Sequence, residues 1–591
     1  MSERVPLHSR ARVLLGIAEL RDPALLVLVL ALAPLFLDDF RVISVGSFLP
    51  LAIAALGLSL VWGYCGILSL GQAAFFGLGA YGVALAIADW GSGWGMLAGL
   101  VFGLLAAAVL AYAIGRVAFG SRVDPFYAAV ITFVVAVIFQ QLLVKFSGFT
   151  GGFNGVVLTD TVLPLDPREA YYVALAAFAV VLAALVVLTR SDAGRLIVAV
   201  RDNSHRLRFL GHDADPIQRR TFVAGATVTA IGGALAALYD QQITPDRTGF
   251  LFSTQILIWT ALGGRTSLVG AAIGALAVNV AEVELSERLL DYWHIALGLA
   301  FIAAVLFFPD GVYSVFKKLT RRLERSEAVE LSPMPAHARV ANDADQTILV
   351  SHDLEQRFGS LIAVDVDSLE LRRHEVCALI GPNGAGKTTL VCVLSGELSP
   401  LTGRVRFAGR EIQGSPPHEI ASLGLRRKFQ TPNVFDSLTV AENLWLGARS
   451  GAGPSAAFRR TRRTELPQNV LALLGRNGLD DRLADVAGDL SHGERQWLEL
   501  CAVFAREPDA VLLDEPTAGL SAPERAEVGR AVRGMADAGL AVLLIEHDFD
   551  FVRNVADRIV VMHQGRVIAD GTVRAVSSDE TVRAVYLGSS T

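Results

Sequence analysis

Apolar residues come in long, nearly unbroken runs through the first half of the chain, at Ala24–Leu37 and then at about 48–66, 68–90, 95–119, 126–144, 171–189, 222–239, 251–283 and 292–309. A hydrocarbon core of about 30 Å needs about 20 apolar residues in a helix, so these runs predict membrane-crossing helices. Basic residues punctuate them on one side. Arg4, Arg10, Arg12 and Arg21 precede the first run, which is read as a retained helix rather than a cleaved signal. Arg190, Arg195, Arg201, Arg206, Arg208, Arg219 and Arg220 follow the run at 171–189, and Lys317, Lys318, Arg321, Arg322 and Arg325 follow the last. Positive residues gather on the inner face, so an even number of crossings must separate the second and third clusters. Three runs are odd. The stretch 251–283, interrupted by Gly263-Gly264-Arg265, is therefore expected to be two segments meeting near Arg265, about ten in all. The first piece, 251–262, is too short to cross alone and should be a broken or tilted element covered by its neighbours.

Gly95, Gly99 and Gly103 share one helical face, as do Gly270 and Gly274, which predicts close helix packing. Gln72, Gln140, Gln141, Gln255, Asn279, Glu282 and Glu284 are the polar candidates for a substrate route, with interhelical bonding as the competing role. Gly148 to Gly155 carries too much glycine for a helix and reads as a re-entrant or docking loop. Ala193–Leu210 predicts one or more short helices with apolar and basic faces, ended by Gly211 and able to dock on a soluble domain.

After about Asp343 the rhythm changes to short apolar runs between charged stretches, the pattern of an α/β domain. The expected division is a membrane domain at 1–320, a flexible linker at 321–346 and a soluble domain at 347–591. The 591 residues are 52% hydrophobic and 19% charged, with mean hydropathy +0.46. That places much of the chain in lipid. The net charge of −6 gives no sign of nucleic-acid binding, and the four cysteines have no metal-ligand spacing.

The chemistry sits in the soluble half. Gly381-Pro382-Asn383-Gly384-Ala385-Gly386-Lys387-Thr388-Thr389 follows the strand-like run Val376–Ile380 and precedes a helix-like run. This is a phosphate-binding P-loop: its glycines let backbone N–H groups curl around a polyphosphate at a helix N-terminus. Lys387 is expected on the β- and γ-phosphates, and Thr388 on Mg²⁺. Ala510–Leu513 is a second strand, ending in Asp514 for Mg²⁺ and Glu515 to accept a proton from attacking water. A third strand, Ala541–Ile545, delivers His547 to the same sheet edge.

Leu490-Ser491-His492-Gly493-Glu494-Arg495-Gln496 resembles the signature of ABC-transporter ATPases, Phe429-Gln430 their Q-loop, His547 their switch histidine and Phe358 their adenine-stacking aromatic. The resemblance implies that Ser491 and Gly493 close over ATP held by another subunit, and that Gln430 contributes to the metal and water site. His492 and Ser521 depart from the usual residues at their positions. The membrane half resembles permeases of the branched-chain amino acid and amide uptake group, through Gly57–Leu60, Leu68–Phe75, Thr150–Gly155, Gly194-Arg195, Arg201-Asp202 and Ala261–Gly264. Gln255–Trp259, Trp497–Glu499 and Arg427–Pro432 lean toward its urea and short-chain amide branch. The resemblance implies a polytopic α-helical permease fused to an α/β ABC ATPase, importing a small amide or amino acid across the cell membrane. Its expected partners are a second permease and a second ATPase, or a second copy of itself, and an external substrate-binding protein. The loop at 190–220 becomes the coupling segment. Branched-chain amino acid import, export and an ATP-gated sensor or channel stay open as alternatives.

Overall fold

The computed structural model describes residues 21–91, 93–119, 125–158, 165–289, 330–334, 346–449, 461 and 463–587, with scattered positions between 292 and 314. They fall into two compact units. One runs to Arg201 and resumes at Asp215; the other takes Asp202–Ala214 together with the described residues from Glu330 onward.

In the first unit, seven helices among the described residues are long and apolar enough to cross a bilayer: Asp39–Tyr64, Gln72–Trp90, Trp94–Ala118, Phe126–Lys145, Pro167–Arg190, Ala214–Asp240 and Leu268–Ser286. The shorter Phe250–Gly263 has 14 residues and ends against Gly264, whose φ of 120° breaks the helix where the sequence predicts two segments to meet. Residues 21–32 are also helical, ahead of a 3-10 turn at Ala33–Leu35. The expected run at 292–309 lies largely outside the described residues. The count of about ten is thus approximate.

Glycine packing explains how two neighbouring helices meet. A Cβ at Gly95, Gly99 or Gly103 would sit 2.4 Å from Ala86 O, 2.5 Å from Gly82 O and 2.8 Å from Leu78 O, so Trp94–Ala118 rests its glycine face on the backbone of Gln72–Trp90. Gly270 and Gly274 do the same against Gly263 and Trp259. Among the polar candidates, Gln72 is buried and accepts from the Thr229 hydroxyl at 3.1 Å, and Asn279 donates to Ala275 O at 2.7 Å. Gln255 is exposed on the first unit.

Three expectations need correction. The run at 68–90 starts its helix only at Gln72, because Gly71 presses on the Thr132 backbone, where a Cβ would lie 2.2 Å from the carbonyl oxygen. The glycine-rich loop contains a helical turn, Ser147–Thr150, which the Thr150 hydroxyl ties to Phe146 O at 3.0 Å. Arg219 and Arg220 stand inside the 27-residue helix Ala214–Asp240 rather than in a loop. At 1.5 Å per residue such a helix is about 40 Å long and outruns the hydrocarbon.

The second unit is built on a six-stranded sheet in which Val376–Ile380, Leu425–Lys428, Ala510–Asp514, Ala541–Ile545 and Arg558–His563 run parallel, with Arg566–Thr572 antiparallel at one edge. Val376–Ile380, Ala510–Asp514 and Ala541–Ile545 are buried along their whole length, which is why they read as continuous apolar runs instead of alternating ones. A separate antiparallel sheet holds Thr347–Phe358, Leu361–Arg372, Thr402–Phe407 and Arg410–Glu411. Within the stretch expected to be a flexible linker, Glu330–Pro333 forms a strand, pairing in parallel with Arg463–Leu466. The Arg463 guanidinium bonds Ser332 Oγ at 2.9 Å, and Met334 N–H bonds Leu466 O at 2.8 Å.

Candidate functional site

Parallel strands deliver their carboxyl ends to one edge, and the sequence puts polar residues at those ends. Gly381, Gly384 and Gly386 take φ of 155°, 81° and 99°, a backbone region closed to most side chains. Close approach adds a second constraint, since a Cβ at Gly381 would lie 2.2 Å from Met562 O and one at Gly386 2.1 Å from Ala363 O. The loop so formed feeds the helix Lys387–Leu394. Asn383, Gly384 and Thr388 are exposed along it, Pro382 and Thr389 half-buried, and Ala385 buried. The Lys387 ammonium donates to Gly381 O at 2.7 Å and Pro382 O at 3.0 Å, holding it across the loop mouth. Burial lowers its pKa, against the pull of the Glu515 and Asp514 charges.

Asp514 ends its strand buried, and burial raises its carboxyl pKa against the Arg427 guanidinium 3.9 Å away. Glu515 follows with a φ of 45°, an unusual conformation for a side chain of this size, held by its N–H to Ile545 O at 2.9 Å. Its Oε2 accepts from Gln430 Nε2 at 2.8 Å, and its Oε1 lies 2.6 Å from His547 Nε2. Lys387, Asp514, Glu515, Gln430 and His547 thus converge on one edge. The neighbouring Glu546 accepts from Thr517 Oγ1 at 2.6 Å and Thr517 N at 3.0 Å, pinning the turn after Glu515.

Ser491 caps the helix His492–Phe504, accepting from Glu494 N at 3.3 Å while Glu494 accepts from Ser491 N at 2.8 Å. No bond or ion pair among the described residues joins Ser491 or Gly493 to the phosphate loop. Phe358 lies 51% exposed at the end of its strand. Ser521 caps the helix Ala522–Asp537 and bonds Glu524, a task its short hydroxyl side chain performs well.

The donor set suits a hard divalent cation: Asp514, the Thr388 hydroxyl and the Gln430 amide all offer oxygen. No group of three or more His, Cys, Asp or Glu side chains close enough to chelate a metal occurs among the described residues.

Sequence reasoning missed a buried ionic cluster. Arg426, Arg427 and Lys428 are all buried in one strand, although alternation would expose about half of them. Arg426 Nη1 bonds Gly447 O at 2.7 Å, with Ala502 O and Val503 O at 3.2 and 3.3 Å. Of the stretch Ala193–Leu210, expected as a docking element, only the part from Asp202 onward belongs to this unit, which takes in Asp202–Ala214. Its helix Asp192–Phe209 kinks at Asn203, and Gly211 turns the chain with a φ of 91°. Asp202 accepts from Ser437 N at 2.8 Å, and His212 Nε2 lies 3.1 Å from Leu446 O. Three basic residues in a row were the one signal in the sequence; nothing there pointed to their partners.

Comparison with known proteins falls along the same division. Residues 41–308 match a family described as the permease component of the branched-chain amino acid transport system, 364–518 the ABC transporter family, and 566–590 the branched-chain amino acid ATP-binding cassette transporter family. The high-affinity branched-chain amino acid transport ATP-binding protein LivG of Salmonella typhimurium is 36% identical over 252 residues, 41% of this chain and 98% of its own. BraF of Pseudomonas aeruginosa, likewise a high-affinity branched-chain amino acid transport ATP-binding protein, is 36% identical over 250 residues, 41% and 98% of the two chains. A nucleotide-free ATP-binding cassette of an ABC transporter aligns with a TM-score of 0.36 at 30% identity, over 41% of this chain and 100% of that one.

Proposed function

Since the chain belongs to the branched-chain amino acid family of ABC transporters, with permease and ATPase on one polypeptide, we propose that it imports a small amide, urea or a short-chain amide first, at the expense of ATP. Transporters of this family work with further subunits and a substrate-binding protein. A second permease and a second ATPase are the proposed partners here, with self-pairing as the other arrangement. The observation that carries the reading is the presence, on one chain, of a permease-matching half and a nucleotide site whose lysine, paired carboxylates, glutamine and histidine meet at one sheet edge.

In this reading the loop 381–389 wraps the phosphates of ATP, Lys387 neutralises them, and Phe358 stacks on the base. Glu515 takes the proton of the attacking water, with Gln430 and His547 orienting it from either side. Thr388, Asp514 and Gln430 would hold Mg²⁺, which neutralises charge developing on the transferring phosphoryl group. Ser491 and Gly493 would complete a second subunit's site.

Branched-chain amino acids are the second reading, favoured by the branched-chain amino acid transport role of LivG and BraF. Uptake of labelled urea, acetamide and leucine into energised vesicles carrying the chain and its partner subunits separates the two. Accumulation of urea or acetamide that is lost in Glu515→Gln is the expected result. Leucine accumulation alone selects the second reading. No accumulation with normal ATP turnover refutes both.

A further inference from the structure

The helices Gln72–Trp90 and Trp94–Ala118 meet on their small residues, and a groove opens beside that seam. Gly95, Gly99 and Gly103 take up the packed face of the second helix. Trp94, Leu97, Val101 and Phe102 are turned away from it, between 53% and 82% exposed. On the first helix Leu78, Tyr81, Leu85 and Asp89 recur at three- and four-residue steps and so share a face. Together with Phe139 and Leu143 these two faces bound a cavity of about 870 Å³. Sites for small organic molecules hold about 300–1,000 Å³, so the groove is large enough for a sizeable ligand.

The groove stands in the outer leaflet. Arg116 in the last turn of Trp94–Ala118 puts that end on the inner face, so Trp90 and Trp94 mark the outer one, at the level where tryptophan gathers in membrane proteins. From Trp94 to Ala106 the wall runs about 18 Å, near half of a hydrocarbon core of about 30 Å. Water does not fill an apolar void, so hydrocarbon does. Two polar groups ask for more than hydrocarbon. Tyr81 is 3% exposed, yet its hydroxyl has no hydrogen-bond partner among the described residues. Asp89 is exposed at the rim with Trp90 and Trp94 and makes no ion pair among the described residues. A helix from another subunit has its carbonyls bonded within itself and offers Tyr81 no backbone acceptor, whereas a phospholipid brings ester carbonyls.

We propose that this groove seats one zwitterionic phospholipid of the outer leaflet, with a headgroup that ends in an ammonium. The ammonium meets the Asp89 carboxylate and the indoles of Trp90 and Trp94, an arrangement that favours a cation twice over. An ester carbonyl accepts from the Tyr81 hydroxyl, and an acyl chain covers Leu78, Phe102 and Phe139. Asp89 lies about 12 Å along the helix from Tyr81, within reach of an extended headgroup. Charge then selects the lipid, because an anionic headgroup brings a like charge to Asp89 and leaves it unpaired.

The test titrates the purified full-length chain in detergent with phosphatidylethanolamine or phosphatidylglycerol of the same acyl chains and counts bound lipid by native mass spectrometry. One phosphatidylethanolamine should be retained per chain, about tenfold or more tighter than phosphatidylglycerol. Asp89→Asn should bring the two lipids within about twofold of each other, and Tyr81→Phe should weaken both alike. Ala98→Trp, which sets an indole into the groove from a half-buried position, should lower retention of phosphatidylethanolamine about tenfold or more. Asp89→Asn, on the exposed rim, decides the matter if Ala98→Trp does not fold. Equal retention of both lipids by the native chain, an unchanged preference in Asp89→Asn, or native retention in a folded Ala98→Trp overturns the proposal. So does a complex with the partner subunits that holds no lipid where the chain alone does, an outcome that makes the groove a docking face for the second permease.

Discussion

Acidification should loosen the ATPase unit through one imidazole. His212 is buried where the segment Asp202–Ala214 meets the helix Val440–Ala448, and burial pushes its pKa down from 6.5 to about 4, with the Arg426 and Arg506 charges acting in the same direction against its bonds to the Leu446 and Arg449 carbonyls. A depressed folded-state pKa means that the unfolded chain takes up the proton first. The stability is therefore fully present above about pH 6.5 and is lost as pH falls toward 4. Between pH 7.5 and 5.5 the unfolded imidazole becomes about nine-tenths protonated while the folded one stays neutral, a loss of about 1.4 kcal/mol. For a domain of this size that is a fall of about 3–6 °C in unfolding midpoint. The assay is thermal unfolding of the full-length protein at the two pH values, native beside His212→Gln, whose amide keeps a donor for Leu446 O but does not titrate. Other groups move both proteins alike, so the difference between them isolates His212. Midpoints that fall in parallel would refute the reasoning.

Glu515→Gln should keep ATP binding and lower hydrolysis by about 10²–10⁴-fold, measured as phosphate release; a smaller loss removes Glu515 as the base. Gly99→Val drives a side chain into the Gly82 carbonyl, whereas a Cβ at Gly93 meets nothing within 4 Å among the described residues, so the first should cost about 1–3 kcal/mol and Gly93→Val little, read by thermal aggregation in detergent. Burial pushes the Cys377 and Cys501 thiols up to about 12 and the partly buried Cys392 to about 11. Iodoacetamide at pH 8 should mark Cys392 first by mass spectrometry, and equal labelling of Cys377 would contradict the burial.

What could be read beforehand follows from how local each signal is. The P-loop and the strand ending in Asp514 and Glu515 are contiguous, so a few residues identify them. Long apolar helices announce themselves equally well, and positive-inside parity locates the break that Gly264 makes. The late start at Gln72 escaped notice because the residues before it, Ile67 to Leu70, are as apolar as a helix while their geometry is set by Thr132, far along the chain. The buried charges Arg206 and Glu499, paired at 2.6 Å, and Arg427 and Lys428 beside them were invisible for the same reason. Each member is an ordinary charged residue in the sequence, and only tertiary packing removes it from water and gives it a partner.

The strand Glu330–Pro333 sets a condition on dividing this polypeptide. Among the described residues Arg463–Leu466 has no other strand beside it, so an ATPase fragment starting after Pro333 would leave a bare row of backbone donors and acceptors, open to strand addition from any neighbouring molecule. Joined in one chain, the plug for that edge is always present at high local concentration. A gene split to yield a soluble ATPase should be cut ahead of Glu330, and the fusion itself acts as a built-in guard against self-association.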